Sequence, residues 1–446
     1  MSHSLPAGKP APHGAAESGG DSGRGVILHW QRGVPVFDRP IRTRSFVLLL
    51  LLVAAGTAIG LMRLLGGALG PFTGLNDAYA WGVWKTFNVM ALTALGSGGM
   101  AIGIAAWVFN EHRLHSVMRT ALVTSLLFYA TGLLGLMTDV GRPWNFWNAL
   151  VPWRWNTASA LWEVSIAMPA YACVFLTFEL SPIFVERAWY VGKPSTRALI
   201  DRWRPRMRAI YPWAVAGAYV VPMMHQSSLG ALMLLAGDKV HPLWQTQILP
   251  GLYLLQAGAC GFGAVMLFVM GSCLVWRRPL DMKVLGRMGN IMSWIILVWS
   301  AVRVLDLALR GKLGHALHAD APALLFWTEM LLVLVPALLL RERSIRRTPR
   351  HAFVLALVAT FGGVLYRFNP TTITYDPGKT YSYFPTVPEL VIMFGLVAMV
   401  VAAFSVACKR YAVLPAPLDT WYSMVEAVRR VDPATRRDEH GNPLDD

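Results

Sequence analysis

Four polar side chains sit where an apolar chain has little reason to keep them: Lys85, Asp139, Glu163 and His225. Each falls within or at the end of a long hydrophobic run. An ionisable group at membrane depth is costly, so each is a site candidate by default. A carboxyl in apolar surroundings suits proton exchange, and Glu163 and Asp139 supply two. His225 is the only histidine deep in a hydrophobic run, in Pro222-Met-Met-His-Gln-Ser-Ser-Leu-Gly230. An imidazole donates a hydrogen bond and carries protons near neutral pH. These groups suit a lipid-soluble quinone. Its ring carbonyls need a donor at each end, and its reduction takes two electrons and two protons. Lys85, Asn88, Arg142, Gln226, Ser227 and Ser228 add polar groups to the same region, and Tyr129 and Trp162 add rings to line it. A bis-imidazole haem needs a second facing histidine, which the chain does not readily supply, so the expectation is no haem.

Structural readings stand beside these. Asp139 and Arg142, at i,i+3, can simply lock a helix end. Lys85 and Glu163 can be an ion pair that only holds two helices together. His225 can be a satisfied buried histidine. A second set, Arg303, Asp306, Glu329 and Glu389, reads as a second polar core or a proton route, with a structural pair of Arg303 and Glu329 the favoured reading. Glu179 marks the far end of the helix that carries Glu163, a hint of a path between them.

Such groups converge only if the elements carrying them do. Hydrophobic residues make up 55% of the 446, charged residues 15%, and mean hydropathy is +0.45. A soluble domain carries about 25% charge. The reading is an all-α membrane protein of ten spans, at 45–66, 80–109, 117–138, 158–183, 209–236, 248–276, 287–309, 321–340, 351–368 and 387–408. Spans two to five would then form a four-helix bundle around the polar groups. Three segments follow: a disordered tail, 1–38; a transmembrane domain, 39–410; and a C-terminal tail, 411–446.

The net charge of +15 does not read as a nucleic-acid footprint, because the basic residues lie on alternate short loops. Thirty of the forty Lys and Arg fall on the side that holds both termini, and eight on the other. That asymmetry puts both tails in the cytoplasm and the Lys85–His225 group in the outer half. The run Arg202-Trp-Arg-Pro-Arg-Met-Arg208 reads as an anchor on anionic membrane lipid. The outer loops are rich in Trp, Tyr, Pro and Asn, which suits either the membrane interface or a docking partner. Cys173, Cys260, Cys273 and Cys408 lie in apolar segments without a C-x-x-C, so no metal site is expected. The glycines Gly96, Gly98, Gly99 and Gly103 inside span two read as a close-packing surface rather than a phosphate cradle.

Several motifs resemble a known family. Asp139-Val-Gly-Arg-Pro-Trp144 and His225-Gln-Ser-Ser-Leu-Gly230 look like the NrfD/PsrC family of quinone-linked membrane subunits. Trp81-Gly-Val-Trp84, Lys239-Val-His-Pro-Leu-Trp-Gln245, Phe326-Trp-Thr-Glu329 and Tyr381-Ser-Tyr-Phe-Pro-Thr386 resemble the HybB branch, from hydrogenase-2-type enzymes. The resemblance covers about residues 40–410. It implies a haem-free, multi-pass protein of the bacterial inner membrane, with a menaquinone or ubiquinone site near the outer leaflet. It also implies an extracytoplasmic [4Fe–4S] ferredoxin-like partner and a catalytic subunit. In the HybB branch that subunit is a [NiFe] hydrogenase; elsewhere in the family it is often a molybdopterin enzyme or acts on sulfur compounds. Proton translocation is a further implied activity. A secondary transporter and a purely structural anchor are the competing classes. The charges gather on one side rather than at the midplane, and no internal repeat is evident, which disfavours the transporter.

Overall fold

In hydrocarbon a backbone must satisfy its own polar groups, so apolar runs of about twenty residues become helices. The computed structural model describes residues 42–66, 72–79, 81–140, 142–191, 193–276, 280–411 and 413–414. The expected tail 1–38, and nearly all of 411–446, lie outside the described residues.

Ten long helical elements follow in order: α1 (Arg44–Gly66), α2 (Val83–Val108), α3 (His115–Asp139), α4 (Trp162–Val185), α5 (Pro194–Leu234), α6 (Leu249–Val275), α7 (Met282–Leu309), α8 (Ala321–Leu339), α9 (Pro349–Ile373) and α10 (Val387–Arg410). Among the described residues, nine are long and apolar enough to cross a membrane. The expected tenth span, 209–236, is the C-terminal part of α5. The polar run His225–Ser228 dilutes its hydrophobicity, and three prolines interrupt its sequence without ending the helix. At 41 residues α5 is about 60 Å long, so it overhangs the bilayer. The overhang carries exposed Arg202, Trp203 and Arg206.

The helices close into two rings. Helices α2–α5 pack in sequence, and α5 returns to α2; helices α6–α9 do the same, and α9 returns to α6. The seam between the rings is α2 and α5 against α6, while α1 and α10 pair beside α3. Helix α2 is therefore the central strut. In its apolar window 89% is buried, against 11% in α1, which faces lipid. Its glycines make the position possible. A Cβ on Gly98 would lie 3.0 Å from the Gly261 carbonyl oxygen of α6, so the two backbones touch. Beside it, the Gly99 N–H donates to Ser125 Oγ of α3 at 2.7 Å.

Four π-helical turns break the regular ladder: Thr86–Ala91 and Ile104–Val108 in α2, Ala170–Phe175 in α4, and Asn369–Ile373 in α9. Such turns gather at functional sites, and the first and last lie beside the polar clusters described below. The connections after α1, α3, α5, α7 and α9 share one end of the bundle, here the loop-rich end. An isolated bridge joins Val240 to Tyr375 there, the Asp376 N–H donates to the Lys239 carbonyl, and Tyr79 Oη donates to the Tyr375 carbonyl. At the opposite, arginine-rich end, Glu111 pairs with Arg287.

Candidate functional site

The polar residues of α2–α5 form an edge and a core. At the edge, Lys85 Nζ lies 3.1 Å from Asp139 Oδ2, joining α2 to α3 near the loop-rich end. The Asp139 side chain is 1% exposed and that of Lys85 is 24% exposed, so the ammonium is the face of the pair that a ligand can reach. Arg63 of α1 braces the end of α3 by donating to the Thr138 and Asp139 carbonyls. Lys85 also stands 5.1 Å from the centre of the Trp81 ring. Neither of the two alternative pairings is formed. Lys85 pairs with Asp139 and not with Glu163, and Arg142 is exposed rather than bound to Asp139. The reason is rotational register: Asp139 is on the buried face of the last turn of α3, and Arg142 is past the helix end.

One turn further in, Asn88 sits inside the first π-helical turn, fully buried, with neither amide atom hydrogen-bonded. Its room comes from Gly135 of α3, where a Cβ would come within 2.8 Å of Asn88 Nδ2. Gly132 packs against both the Asn88 carbonyl and Met168 of α4, which sets these three helices at one level. Counting back from that level along each helix puts Lys85, Asp139 and Glu163 about one to two turns nearer the loop-rich end. Glu163 is half-buried there and has no hydrogen-bond or ion-pair partner among the described residues. Its neighbour Trp162 packs on Trp155 at 5.3 Å and has a buried, unpartnered indole N–H.

The core lies deeper. His225 has no exposed surface, and neither ring nitrogen has a hydrogen-bond partner. Its ring meets Tyr129 edge-on at 5.6 Å, and Tyr129 meets Tyr171 at 4.6 Å. Gln226 Nε2 donates to Thr93 Oγ1 at 3.1 Å and to Tyr129 Oη at 3.3 Å, and its carbonyl oxygen is unpartnered. The backbone of Val164, one residue on from Glu163, interacts with the imidazole, so α4 carries an edge group and a core contact side by side. Ser227 and Ser228 both donate back to the Met224 carbonyl, so their hydroxyl protons are held by their own helix.

Glu179 is near the arginine-rich end of α4. It is buried, with Oε2 unpartnered, and Tyr211 donates to its backbone carbonyl at 3.4 Å. The hydroxyls of Tyr171 and Tyr219 are also buried and unpartnered. Buried polar atoms in this state call for water or for a function. Here they extend from Glu179 towards Tyr129 and His225.

In α6–α9, Arg303 pairs with Glu329, which also accepts from Trp244 Nε1 at 2.9 Å and Asn369 Nδ2 at 2.5 Å. Asp306 stands apart, paired with Arg310 at 2.6 Å and accepting from Thr246 at 2.8 Å.

The matched family decides what this bundle is. The family model for polysulphide reductase, NrfD, matches residues 72–369, which include every group above except Arg63.

The chain belongs to the NrfD family.

Among its relatives is the probable Ni/Fe-hydrogenase 2 b-type cytochrome subunit of Escherichia coli (strain K12), 34% identical over 78% of this chain and 86% of that one. The integral membrane subunit of a menaquinone reductase from Nitratidesulfovibrio vulgaris is 25% identical over 79% and 87%. The integral membrane subunit of an Hdr-like menaquinol oxidoreductase from Archaeoglobus fulgidus is 21% identical over 83% and 94%. Membership and the ten helical elements together make this NrfD-family chain a multi-pass integral membrane protein.

The name of the first relative raises haem. A b-type haem between two imidazoles needs a facing pair. Of the described histidines, His225 alone lies within the helical core; His112, His115 and His351 are at helix starts, and His241, His315 and His318 are in loops. The described residues do not form that pair. Glu389, grouped by sequence with Arg303, Asp306 and Glu329, is fully buried and accepts instead from Gly74 N and Tyr383 Oη. Sequence reasoning misses two groups. Arg63 reads as a helix-end cation. Arg367 counts with the loops when its span is expected to end at 368; the π-helical turn continues the helix to Ile373 and leaves Arg367 wholly buried.

Proposed function

We propose that this chain is the haem-free, quinone-reactive membrane subunit of a respiratory oxidoreductase in the bacterial inner membrane. It exchanges electrons between an extracytoplasmic iron–sulfur partner, of a [NiFe] hydrogenase, and menaquinone or ubiquinone. The observation that carries the reading is the arrangement at the loop-rich end. A partly exposed Lys85 is held by a buried Asp139, with the open carboxylate of Glu163 at the same level and the His225–Gln226–Tyr129 core behind. The names of the two relatives given for menaquinone and menaquinol enzymes support it.

The quinone supplies two-electron, two-proton chemistry. The chain's residues supply the rest. Lys85 donates to a ring carbonyl and stabilises negative charge there, and Asp139 keeps the ammonium aimed at that place. Trp81, beside Lys85, and Trp162, beside Glu163, supply rings for the quinone to lie against. Glu163 exchanges the protons that accompany the electrons. His225, through Tyr129 and Gln226, connects this edge to the interior. Glu179 and the tyrosines near it extend the connection towards the arginine-rich end, and we assign them a coupled movement of protons. The excess of basic residues at that end supports a cytoplasmic side for it. The helical domain 39–410 then carries the function, and tails 1–38 and 411–446 are cytoplasmic.

A second reading keeps the quinone site and changes the donor to a molybdopterin enzyme or one acting on sulfur compounds. A relative from Mesobacillus selenatarsenatis, named as part of a selenate reductase, favours it, at 29% identity over 20% of this chain and 21% of that one. Affinity purification in mild detergent, with mass spectrometry and an absorption spectrum, separates the two. The expected result is an iron–sulfur protein with [NiFe] subunits and no haem α-band from this chain. A molybdopterin enzyme in the purified complex would move the donor, and recovery of this chain alone from preparations that keep other complexes intact would contradict both.

A further inference from the structure

The connection from α8 to α9 reads Arg341-Glu-Arg-Ser-Ile-Arg-Arg-Thr-Pro-Arg350, five arginines against one glutamate. A bias of basic residues to one side of the membrane accounts for the count. It does not account for where the side chains lie. Helix α8 has 19 residues, a rise of about 28 Å, which matches a bilayer core, so Arg341 follows it at the membrane boundary. Ser293 Oγ of α7 donates to the Ala337 carbonyl of α8 at 2.6 Å, which puts Trp294 within one turn of the same boundary. Trp294 is exposed, and with Val298, Val302 and Leu305 it makes an exposed stripe down one face of α7. Leu331, Val335 and Leu338 are exposed on α8, which packs against α7. On a membrane-spanning helix such stripes face acyl chains.

The Arg341 guanidinium folds over the Trp294 ring at 4.3 Å and donates to Asn290 Oδ1 at 2.7 Å. A cation therefore heads the lipid-facing stripe, with neutral partners. More positive charge crowds around it. Arg346 donates to the Arg341 carbonyl at 2.6 Å and the Leu340 carbonyl at 3.4 Å, closing the end of α8. Arg346 is held below the ordinary arginine value, by burial first and then by Arg341, Arg343 and Arg347, and Glu342 alone opposes them. Glu342 is taken up in capping the short helix Arg343–Arg347, where it accepts from Ser344 N and Oγ at 3.2 Å. Arginine keeps its proton, so the repulsion is relieved by an anion. Guanidinium groups match phosphate oxygens with paired N–H donors. The apolar stripe under Arg341 favours a phosphate that carries acyl chains over a free one. A choline or ethanolamine headgroup would bring a further positive charge among the arginines, which favours a net anionic lipid.

We propose that the rim formed by α7 and the α8–α9 connection binds one anionic phospholipid, with its phosphate at Arg341, Arg343 and Arg347 and an acyl chain along Trp294, Val298 and Val302. Bound there, the lipid braces α7 against α8 and α9. The site is at the opposite end of the bundle from Lys85 and Glu163, and stands whether or not the quinone reading does.

The test is thermal unfolding of the purified, delipidated full-length protein in detergent. The additions are phosphatidylglycerol, phosphatidylcholine with the same acyl chains, and inorganic phosphate. Phosphatidylglycerol should raise Tm saturably, by roughly 2 °C or more, through binding to the folded state. The other two should not. Arg341→Gln with Arg347→Gln should remove most of the rise, and native mass spectrometry should count one phosphatidylglycerol fewer on that variant. Arg44→Gln removes a charge at the same end but on α1, which packs on α10, and should keep the rise. Equal Tm with the two lipids overturns the proposal, as does a phosphatidylglycerol effect that survives in the double variant. A matching rise with inorganic phosphate assigns a free anion and overturns the lipid. Should the double variant fail to accumulate, Trp294→Leu, which removes the exposed ring under Arg341, takes its place with the same expected loss.

Discussion

Lys85 and Asp139 face each other at 3.1 Å across α2 and α3, with the carboxylate sealed in and the ammonium partly open. The asymmetry assigns different parts to the two. In the proposed site Lys85 is the contact group and Asp139 positions it. Lys85→Met should weaken binding of a quinone-analogue inhibitor about 10- to 100-fold, on the scale of one charge-assisted hydrogen bond. Lys85→Arg should recover part of that loss. Titration of the inhibitor against quinone-linked turnover measures it, and an unchanged affinity in Lys85→Met would remove Lys85 from the site.

Glu329 is expected to be structural. Glu329→Gln leaves Arg303 unpaired in an aromatic cage and should destabilise the protein by about 3–5 kcal/mol. The double change Arg303→Met with Glu329→Leu should cost much less, because neither charge is then stranded. Thermal unfolding in detergent compares them. Equal losses in single and double variants would mean that the pair is worth more than its removal.

The seam between the rings tests the architecture. Gly261→Val adds bulk where a Cβ already lies 2.6 Å from the Gly98 amide nitrogen. Backbone lies on both sides, so neither helix can yield. Membrane accumulation should fall severalfold or more, whereas Gly271→Ala, where the structure leaves open space, should be neutral. Quantitative blotting of membranes distinguishes them.

Such pairings show where sequence reading stops. The helices are legible because a bilayer leaves an apolar run almost no other choice. The glycine face of α2 is legible because four glycines in one span have few other uses. His225–Ser228 stands out as a polar run, although only the structure shows that Ser227 and Ser228 turn back on their own helix. Partnerships are not legible. Depth and spacing alone match Lys85 to Glu163, and Asp139 to Arg142. Pairing depends on the rotation of each helix about its axis, which hydropathy does not encode. Arg367 is hidden by a π-helical turn that extends α9 past the expected end.

A connection at the loop-rich end carries a pH dependence. His241 meets His315 edge-on at 5.9 Å, and His315 meets His318 edge-on at 5.3 Å. Burial holds His241 below its ordinary 6.5, His315 adds to this, Asp320 opposes it and His318 adds again. Its Nδ1 accepts from the Leu243 N–H at 3.4 Å, which requires the neutral ring. The unfolded chain therefore binds the proton more readily. Stability conferred by neutral His241 is full above about pH 6.5 and falls as pH drops below it. His241→Gln should flatten the acid side of the Tm–pH curve; an unchanged slope would exclude His241 as its source.

The central claim is that this subunit's own residues hold the quinone and exchange the protons of its reduction, rather than only anchoring an enzyme. The most direct measurement is the ratio of quinone-linked to dye-linked turnover of the whole complex in Glu163→Gln and His225→Ala. Proton-transfer groups contribute about 10²–10⁴-fold, so the ratio should fall by at least two orders of magnitude while dye-linked turnover stays at the native level. Native ratios in both variants would contradict the account and leave the protein an anchor.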